Sequence, residues 1–493
     1  MFTPSPQQAA IFDWVSTGDG SAVIEAVAGA GKTTTLIEAV SMMKGQVFLG
    51  AYNKAISVDI ANKLTSKGID STRVKSATMH SAGFSAVKRM WRDTRIDGKK
   101  MQDIGNSMKL NPAFPMVLAL KLASLAKQEG IYIDDYVDLH AVADHHNLSD
   151  DLPATCSMDT VISVVHEMLE KSNKSCEQVV DFDDMIYAPL LSGARFFQHD
   201  WVLVDEAQDT NRVRRMLAAQ ILRPNGRLIA VGDSRQAIYG FTGASADSLD
   251  LIANQFKCVR LPLTVTYRCP KAIVTHAQKW VKHIEAHETA PEGIVRELDR
   301  TLLFKEKLTR HDAIVCRNVK PLVEVAYGLL QNGTPCHIEG RDVGKSLIVM
   351  VKRFKVSTLA ELDTNLREWF EKEKDRLAKS EQGDKIASLE DKVTTLLSVI
   401  HYQIKKGNTT PGAVIKFLDG IFEDTLEGKV AGSVTLATIH KSKGREWDKV
   451  YLLGRNLFMP SKYAKQDWQL VQETNLIYVA ITRAKKELVE VVF

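Results

Sequence analysis

The sequence predicts an α/β protein built on two parallel sheets, each interrupted by a mainly helical insertion. Apolar, β-rich runs alternate with helical patterns, and this alternation occurs twice, early and late in the chain. A third observation places the insertions. Residues 85–195 and 341–431 carry helical spacing with few β-branched runs, and each stretch lies inside one α/β sector.

Taken in order, the first strand is Ser21–Ala28, followed by a glycine-rich turn and a helix over Lys32–Met43. A second strand is expected over Gln46–Tyr52 and a helix over Lys54–Leu64. WVLVDEAQ from Trp201 and RLIAVGD over Arg227–Asp233 read as two more strands, both ending in acidic residues. The style returns with DAIVCR from Asp312, SVTLATIH from Ser433, KVYLLG from Lys449, and KELVEVVF from Lys486. The expected division is 1–84 with 196–264 as one core, carrying 85–195. The other core is 265–340 with 432–493, carrying 341–431. The second insertion contains LREWFEKEKDRLAKSEQGDKIASLEDKVTTLLSVI, a charged helical pair with a break at Gly383 and solvated faces around an apolar seam.

Composition narrows the class. The chain has 493 residues, 45% hydrophobic and 25% charged, with a formal charge of +4; that excludes a mainly disordered protein. No stretch reaches the roughly 18 uninterrupted apolar residues of a membrane helix, since Phe114–Leu125 is broken by Lys121. The opening MFTPSPQQAAIFDW has no basic leader or apolar signal core, so a cytoplasmic location is expected. The six cysteines form no CxxC pair and read as core residues in a reducing compartment. A charge of +4 spread over this length is no footprint of nucleic-acid binding; any such binding needs a local groove.

The chemistry begins at Ala26-Val-Ala-Gly-Ala-Gly-Lys-Thr33, which follows a strand and opens a helix, as a P-loop requires. Ala28, Gly29, Ala30 and Gly31 form a turn whose backbone N–H groups can point into one anion hole at the helix N-terminus. Lys32 would reach the β- and γ-phosphates, and the Thr33 hydroxyl would coordinate Mg²⁺. Ala26 stands where the pattern has its first glycine. In VLVDEAQD, Asp205 can hold Mg²⁺ at a strand end, and Glu206 can orient or deprotonate an attacking water. Together the two segments read as a nucleoside-triphosphate hydrolase.

Further motifs follow in order: YNKA from Tyr52, TMHS from Thr78, FDDMI from Phe182, VGDSRQAIYGFTGA from Val231, TYRCP from Thr266, TIHKSKGREWD from Thr438 and NLIYVAITRAKKEL from Asn475. With AGAGKTT and DEAQD, the set resembles the UvrD/PcrA/Rep group of superfamily 1A helicases. YNKA, in place of the commoner TNKA, leans toward the F-box DNA helicase branch. The resemblance runs from Gln7 to the last strand. It implies two RecA-like domains (1A and 2A) with insertions 1B and 2B, clamping one ATP with Mg²⁺ between them.

That resemblance assigns roles residue by residue. Gln7, rather than Gln8, matches the amide that reads adenine, and Tyr267 the aromatic that stacks on the base. Thr34 stands where many members have a base-gripping arginine. Gln236 matches the γ-phosphate sensor, Arg268 and Arg483 the two arginines that hold that phosphate, and Glu446 the acid near the ribose. Metal ligands are Thr33 and Asp205. The track for single-stranded DNA is expected at Tyr52, Asn53, His80, Tyr239, Phe241, Thr438 and His440. Packing at a sheet–helix interface is the alternative for Tyr52 and Phe241. Thr242 replaces the family's usual arginine, which removes one cation from the track, and Ala51 stands where the family has phenylalanine. The basic run Lys88–Lys100 reads as a solvated face, with contact to duplex or strand as the alternative.

The implied activity is an ATP-dependent helicase moving 3′ to 5′ on single-stranded DNA, acting at junctions with duplex as a monomer. Single-strand-binding or replication and recombination proteins would be its partners. The alternative is a translocase that strips proteins from DNA with little unwinding. The second insertion is short for the family, so reduced or rearranged duplex engagement is expected.

Overall fold

The computed structural model describes all residues except 1, 52, 135–136, 147, 149–151, 154–155, 239–246, 379–382, 424–432 and 465. The chain forms two units, Met1–Thr264 and Val265–Phe493.

In the first unit, helix α1 (Pro6–Thr17) starts at a capping box in which Ser5 and Gln8 satisfy each other's backbone N–H. Then come β1 (Ala22–Ala26), α2 (Lys32–Val40), β2 (Val47–Ala51), α3 (Lys54–Ser66), β3 (Val74–Thr78) and α4 (Met79–Met90). After the insertion the unit resumes. Numbering on in chain order, the insertion holds β4 (Arg95–Ile96), α5 (Lys100–Ser107), α6 (Met116–Glu129), α7 (Leu139–His145), α8 (Met158–Lys174) and β5 (Val179–Val180). The return runs through α9 (Asp184–Leu191), β6 (His199–Val204), α10 (Arg212–Ile221), β7 (Leu222–Gly232), α11 (Ser248–Phe256) and β8 (Val259–Leu263). The sheet is parallel, in the order β3-β2-β6-β7-β1-β8. β2 is buried at every position, which is why it reads as a continuous apolar run. β1 leaves for β2 on one side while β8 lies on its other side, which makes the carboxyl end of β1 a topological switch point.

The first insertion has its own core, where Leu118, Leu122 and Leu125 of α6 meet Val161, Val165, Met168 and Leu169 of α8. Set beside this core is a buried ion cluster. Lys100 Nζ lies 2.7 Å from Asp184, and Lys127 Nζ lies 2.7 Å from both Asp181 and Asp184. Lys100 therefore departs from the solvated face expected of Lys88–Lys100. Removing such ions from water is costly, and only close pairing of each lysine with an aspartate offsets it. Two lysines balance Asp181 and Asp184; Asp183 is surplus.

In the second unit, β9 (Val265–Thr266), α12 (Lys271–Ala277), β10 (Glu285–Ala286) and β11 (Ile294–Asp299) precede β12 (Asp312–Cys316), α13 (Val319–Gln331) and β13 (Cys336–Glu339). The insertion supplies α14 (Arg341–Arg353), α15 (Leu359–Ala378), α16 (Gly383–Lys405) and α17 (Pro411–Ile421), then β14 (Phe422–Glu423). The unit finishes with β15 (Val434–Thr438), α18 (Ile439–Ser442), β16 (Trp447–Leu453), α19 (Arg455–Phe458), α20 (Asp467–Ile481) and β17 (Ala484–Val492). All seven strands of its main sheet are parallel, in the order β11-β17-β16-β12-β15-β13-β14.

The charged helical pair does have its apolar seam, formed by Leu359, Leu362 and Leu366 of α15 and Val393, Leu396 and Val399 of α16. The seam is continuous with sheet residues Ile314, Cys316, Leu436 and Val489 in one core. Asp391 of α16 accepts from the N–H groups of Val319 and Lys320 at 2.9 and 3.0 Å, capping α13 from a distant part of the chain. Tyr327 of α13 stacks on Tyr402 with centroids 3.9 Å apart. The insertion thus shares the core of the sheet that carries it.

Several boundaries differ from expectation: β1 is shorter than Ser21–Ala28, α3 runs on to Ser66, and β7 starts at Leu222 and not Arg227. The helix read over Lys32–Met43 ends at Val40, and the second strand ends at Ala51. Among the described residues, no helix is long and apolar enough to cross a membrane. Cys176, Cys269, Cys316 and Cys336 are buried, and all six thiols are free.

Candidate nucleotide site and nucleic-acid track

In the first unit, three strand ends deliver the polar residues. After β1 the chain turns through Gly29 and Gly31, with φ of 73° and 78°, left-handed values that glycine adopts without a Cβ penalty. Gly31 then caps α2, while Ala28 and Ala30 fill the turn's underside and are buried. The turn aims Lys32 at the ends of β6 and β7. Its ammonium donates to Glu206 Oε2 at 3.0 Å. Burial pulls Lys32 downward, but the carboxylates of Glu206, Asp233 and Asp205 outweigh it and leave the group above its ordinary value. Thr33 Oγ1 donates to Asp205 Oδ2 at 2.8 Å. Burial, with Glu206 adding to it, pushes Asp205 up to about 6. Thr34 is exposed on the helix surface.

Glu206 has φ 51° and ψ 44°, a left-handed conformation uncommon outside glycine, asparagine and aspartate. The turn it starts, Ala207–Asp209, buries Gln208, whose amide donates to Glu206 Oε2 at 2.6 Å. Gln236 lies on the next turn, Ser234–Gln236, and its amide donates to the buried Asp233 at 2.7 Å. Gln208 and Asp233 belong to this constellation and were not singled out from the sequence, although both lie inside motifs quoted for their neighbours. Gln7 is held at both ends by Thr264, donating to its hydroxyl and accepting from its N–H, each at 2.8 Å. One amide proton and one lone pair stay available by valence for a base edge. Gln8 is spent on the capping box and on Thr35 at 3.0 Å.

A hydroxyl and a carboxylate in contact are hard oxygen donors of the kind Mg²⁺ takes in small number. Among the described residues no group of three or more His, Cys, Asp or Glu side chains is placed to hold a metal ion. Thr33 and Asp205 therefore fit a cation that completes its shell from phosphate and water.

In the second unit, Arg268, Glu446 and Arg483 converge around Thr482. Arg268 Nε donates to Glu446 at 2.6 Å, and its Nη1 to the Thr482 carbonyl at 3.3 Å. Arg483 is buried. Its Nε donates to the Val479 carbonyl at 2.8 Å, Nη1 to the Arg445 carbonyl at 3.2 Å, and Nη2 to the Thr482 hydroxyl at 3.1 Å. These three bonds are made within the second unit. Tyr267 is 47% exposed, with its ring 4.8 Å from that of His287.

Of the expected track, Asn53 caps α3 by accepting from Ile56 N–H at 2.9 Å. Thr438 caps α18 by accepting from Lys441 N–H at 3.3 Å. Burial, with Arg214 adding to it, lowers His80 to about 4; burial, with Arg317 and Lys443, lowers His440 to about 3. Both imidazoles are therefore neutral near pH 7 and offer a stacking face and a hydrogen bond, not a charge. Tyr52, Tyr239 and Phe241, with Thr242, lie outside the described residues.

The family model for the UvrD-like helicase C-terminal domain matches residues 99–492. The chain is similar to F-box DNA helicase protein 1 of Schizosaccharomyces pombe, 23% identical over 531 aligned positions, covering 94% of this chain and 55% of that protein. It is also similar to the ATP-dependent DNA helicase PcrA of Staphylococcus epidermidis, at 24% identity over 57% of this chain and 40% of that one. The ATP-dependent DNA helicase Rep of Buchnera aphidicola is 33% identical over 23% of this chain and 18% of its own length. The chain spans about half the length of the curated relatives it matches. The family match over residues 99–492, most of the sequence, leads to one placement: this chain belongs to the UvrD-like helicase family.

Proposed function

We propose that this chain is an ATP-hydrolysing motor that moves 3′ to 5′ along single-stranded DNA and separates strands at junctions with duplex. The observation that carries the proposal is the contact of Lys32 with Glu206 and of Thr33 with Asp205, at the carboxyl ends of β1 and β6. That is where a parallel sheet binds its ligand. The relatives' names, which are those of DNA helicases, support DNA as the track.

In this reading the turn Ala28–Gly31 and the start of α2 cradle the phosphates. Lys32 exchanges its carboxylate partner for phosphate oxygens. Glu206, released from that pair, orients the attacking water and takes its proton. Thr33 and Asp205 would hold Mg²⁺, which would supply charge neutralisation to the phosphates. Gln236 senses the γ-phosphate, and Arg268 and Arg483 are the arginines assigned to it. Gln7 and Tyr267 read the base, and Glu446 the ribose. Asn53, His80, Thr438 and His440 contact the strand without adding charge, alongside Tyr52, Tyr239 and Phe241. The chain works as a monomer in the cytoplasm.

The test is steady-state ATP hydrolysis with no nucleic acid, single-stranded DNA, duplex DNA or single-stranded RNA, alongside Lys32→Ala. Strong stimulation by single-stranded DNA, lost in the variant, is the expected result. Equal rates with and without any polynucleotide would overturn the motor reading. A duplex free of bound protein then separates strand separation from protein stripping: a stimulated ATPase that leaves it paired favours stripping.

A further inference from the structure

Glu206 carries the task of setting an attacking water, yet its backbone sits in a conformation that side-chain-bearing residues rarely adopt. Its Oε2 receives two donors, Lys32 Nζ at 3.0 Å and Gln208 Nε2 at 2.6 Å. Lys32 is called away whenever phosphates arrive, so it cannot hold the carboxylate throughout a reaction cycle. Gln208 can. Its side chain is 1% exposed and committed at both ends, because its Oε1 accepts from the Asp233 N–H at 3.0 Å. Asp233 in turn caps the turn Ser234–Gln236 and accepts from the Gln236 amide at 2.7 Å. Space is closed around this amide. A Cβ built on Gly232 would come within 2.6 Å of Gln208 Oε1 and 3.0 Å of its backbone nitrogen.

We propose that Gln208 is the positioning residue for Glu206: one amide donates to the acid and accepts from the neighbouring turn, so that Glu206 and Gln236 are set as a single unit. The inference rests on the reading of Glu206 as the group that orients water. With its amide committed to Glu206 and to the Asp233 N–H, Gln208 acts through Glu206, so its loss lowers the rate of the chemical step and leaves nucleotide affinity intact.

The experiment is single-turnover ATP hydrolysis by the full chain with enzyme in excess, together with ATP binding measured by titration. Four proteins are compared: the parent, Gln208→Met, Glu206→Gln and the double variant. Gln208→Glu is run alongside; it keeps the length and the acceptor for Asp233, loses the donor and sets like charge against Glu206. If Gln208→Met does not fold, the same comparison is made with Gln208→Glu. The expected result is a fall of at least tenfold in single-turnover rate for either Gln208 variant, with the ATP dissociation constant within about twofold of the parent's. In the Glu206→Gln background the Gln208 change should add less than about twofold, since both act on the same group. An equal loss in both backgrounds, an affinity loss that accounts for the rate, or no loss at all overturns the proposal. If Glu206→Gln alone leaves the rate unchanged, the reading of Glu206 fails, a result separable from failure of the Gln208 inference.

Discussion

Replacing Asp183 by asparagine should stabilise the first unit at neutral pH, although a buried, hydrogen-bonded carboxylate is removed. Asp183 follows Asp181 and precedes Asp184, and those two already balance Lys100 and Lys127. Its Oδ2 accepts from Ser124 at 2.6 Å and its Oδ1 from Gln128 at 3.2 Å; an asparagine keeps the second contact through its oxygen and reverses the first, its amide donating to the Ser124 hydroxyl. Burial, with Asp181 and Asp184 adding to it, raises its carboxyl from 3.8 to about 6. At about 1.4 kcal/mol for each pKa unit, the ionised form costs the folded state about 3 kcal/mol. Asp183 opens on a polar pocket with His80 and Arg214, and partial access to water reduces that to about 1–2 kcal/mol. The sign follows from linkage. A carboxyl raised on folding binds its proton in the folded state between about pH 4 and 6, so the parent loses stability as pH rises through that window. Urea unfolding followed by hydrogen exchange of peptides from residues 100–191, at several pH values from 4.5 to 7.5, measures this. The variant should gain about 1–2 kcal/mol at pH 7.5 and little at pH 4.5. A variant less stable than the parent at pH 7.5, or a difference that does not change with pH, would refute the charge argument.

Two further outcomes are expected. Lys127→Met strands Asp181 and leaves Asp184 with one lysine; breaking a buried pair in this way costs about 3–5 kcal/mol, read as a lowered unfolding midpoint of the first unit. Asp391→Ala removes the acceptor for two N–H groups at the start of α13 and should cost about 1–2 kcal/mol. Hydrogen exchange at Val319 and Lys320 should rise selectively, and uniform exchange along α13 would argue against a capping role.

What the sequence revealed follows burial. β1, β2, β6, β7, β12, β15, β16 and β17 were legible because strands covered on both faces are apolar runs. β3 and β8 lie at sheet edges and carry Lys75 or Arg260 and Pro262; β11, also an edge, carries Arg296 and Glu297. β13 has only four residues, two of them His337 and Glu339. Lys32, Thr33, Asp205 and Glu206 were legible because phosphate chemistry concentrates them beside glycine turns and strand ends. Gln208 was not, since a glutamine's role depends on what its two amide ends meet after folding. The bond from Arg483 to the Arg445 carbonyl, 38 residues away, and the capping of α13 by Asp391, 72 residues beyond Val319, depend on tertiary contacts that no local pattern records.

The parallel pairing of β11 with β17 has a consequence for how the second unit is made. β11 matches Ile294 to Glu487, so its hydrogen-bond partner leaves the ribosome long after it does. At about 5–20 residues per second the wait is on the order of 10–40 s. β12 waits similarly for both its neighbours, β15 and β16. Through that interval the nascent unit exposes unpaired strand edges, and the helices α13–α17 can assemble only against one another and the strands already made, β11–β14. Synthesis speed and holdase capacity, more than final stability, should therefore set the yield of this protein in a cell.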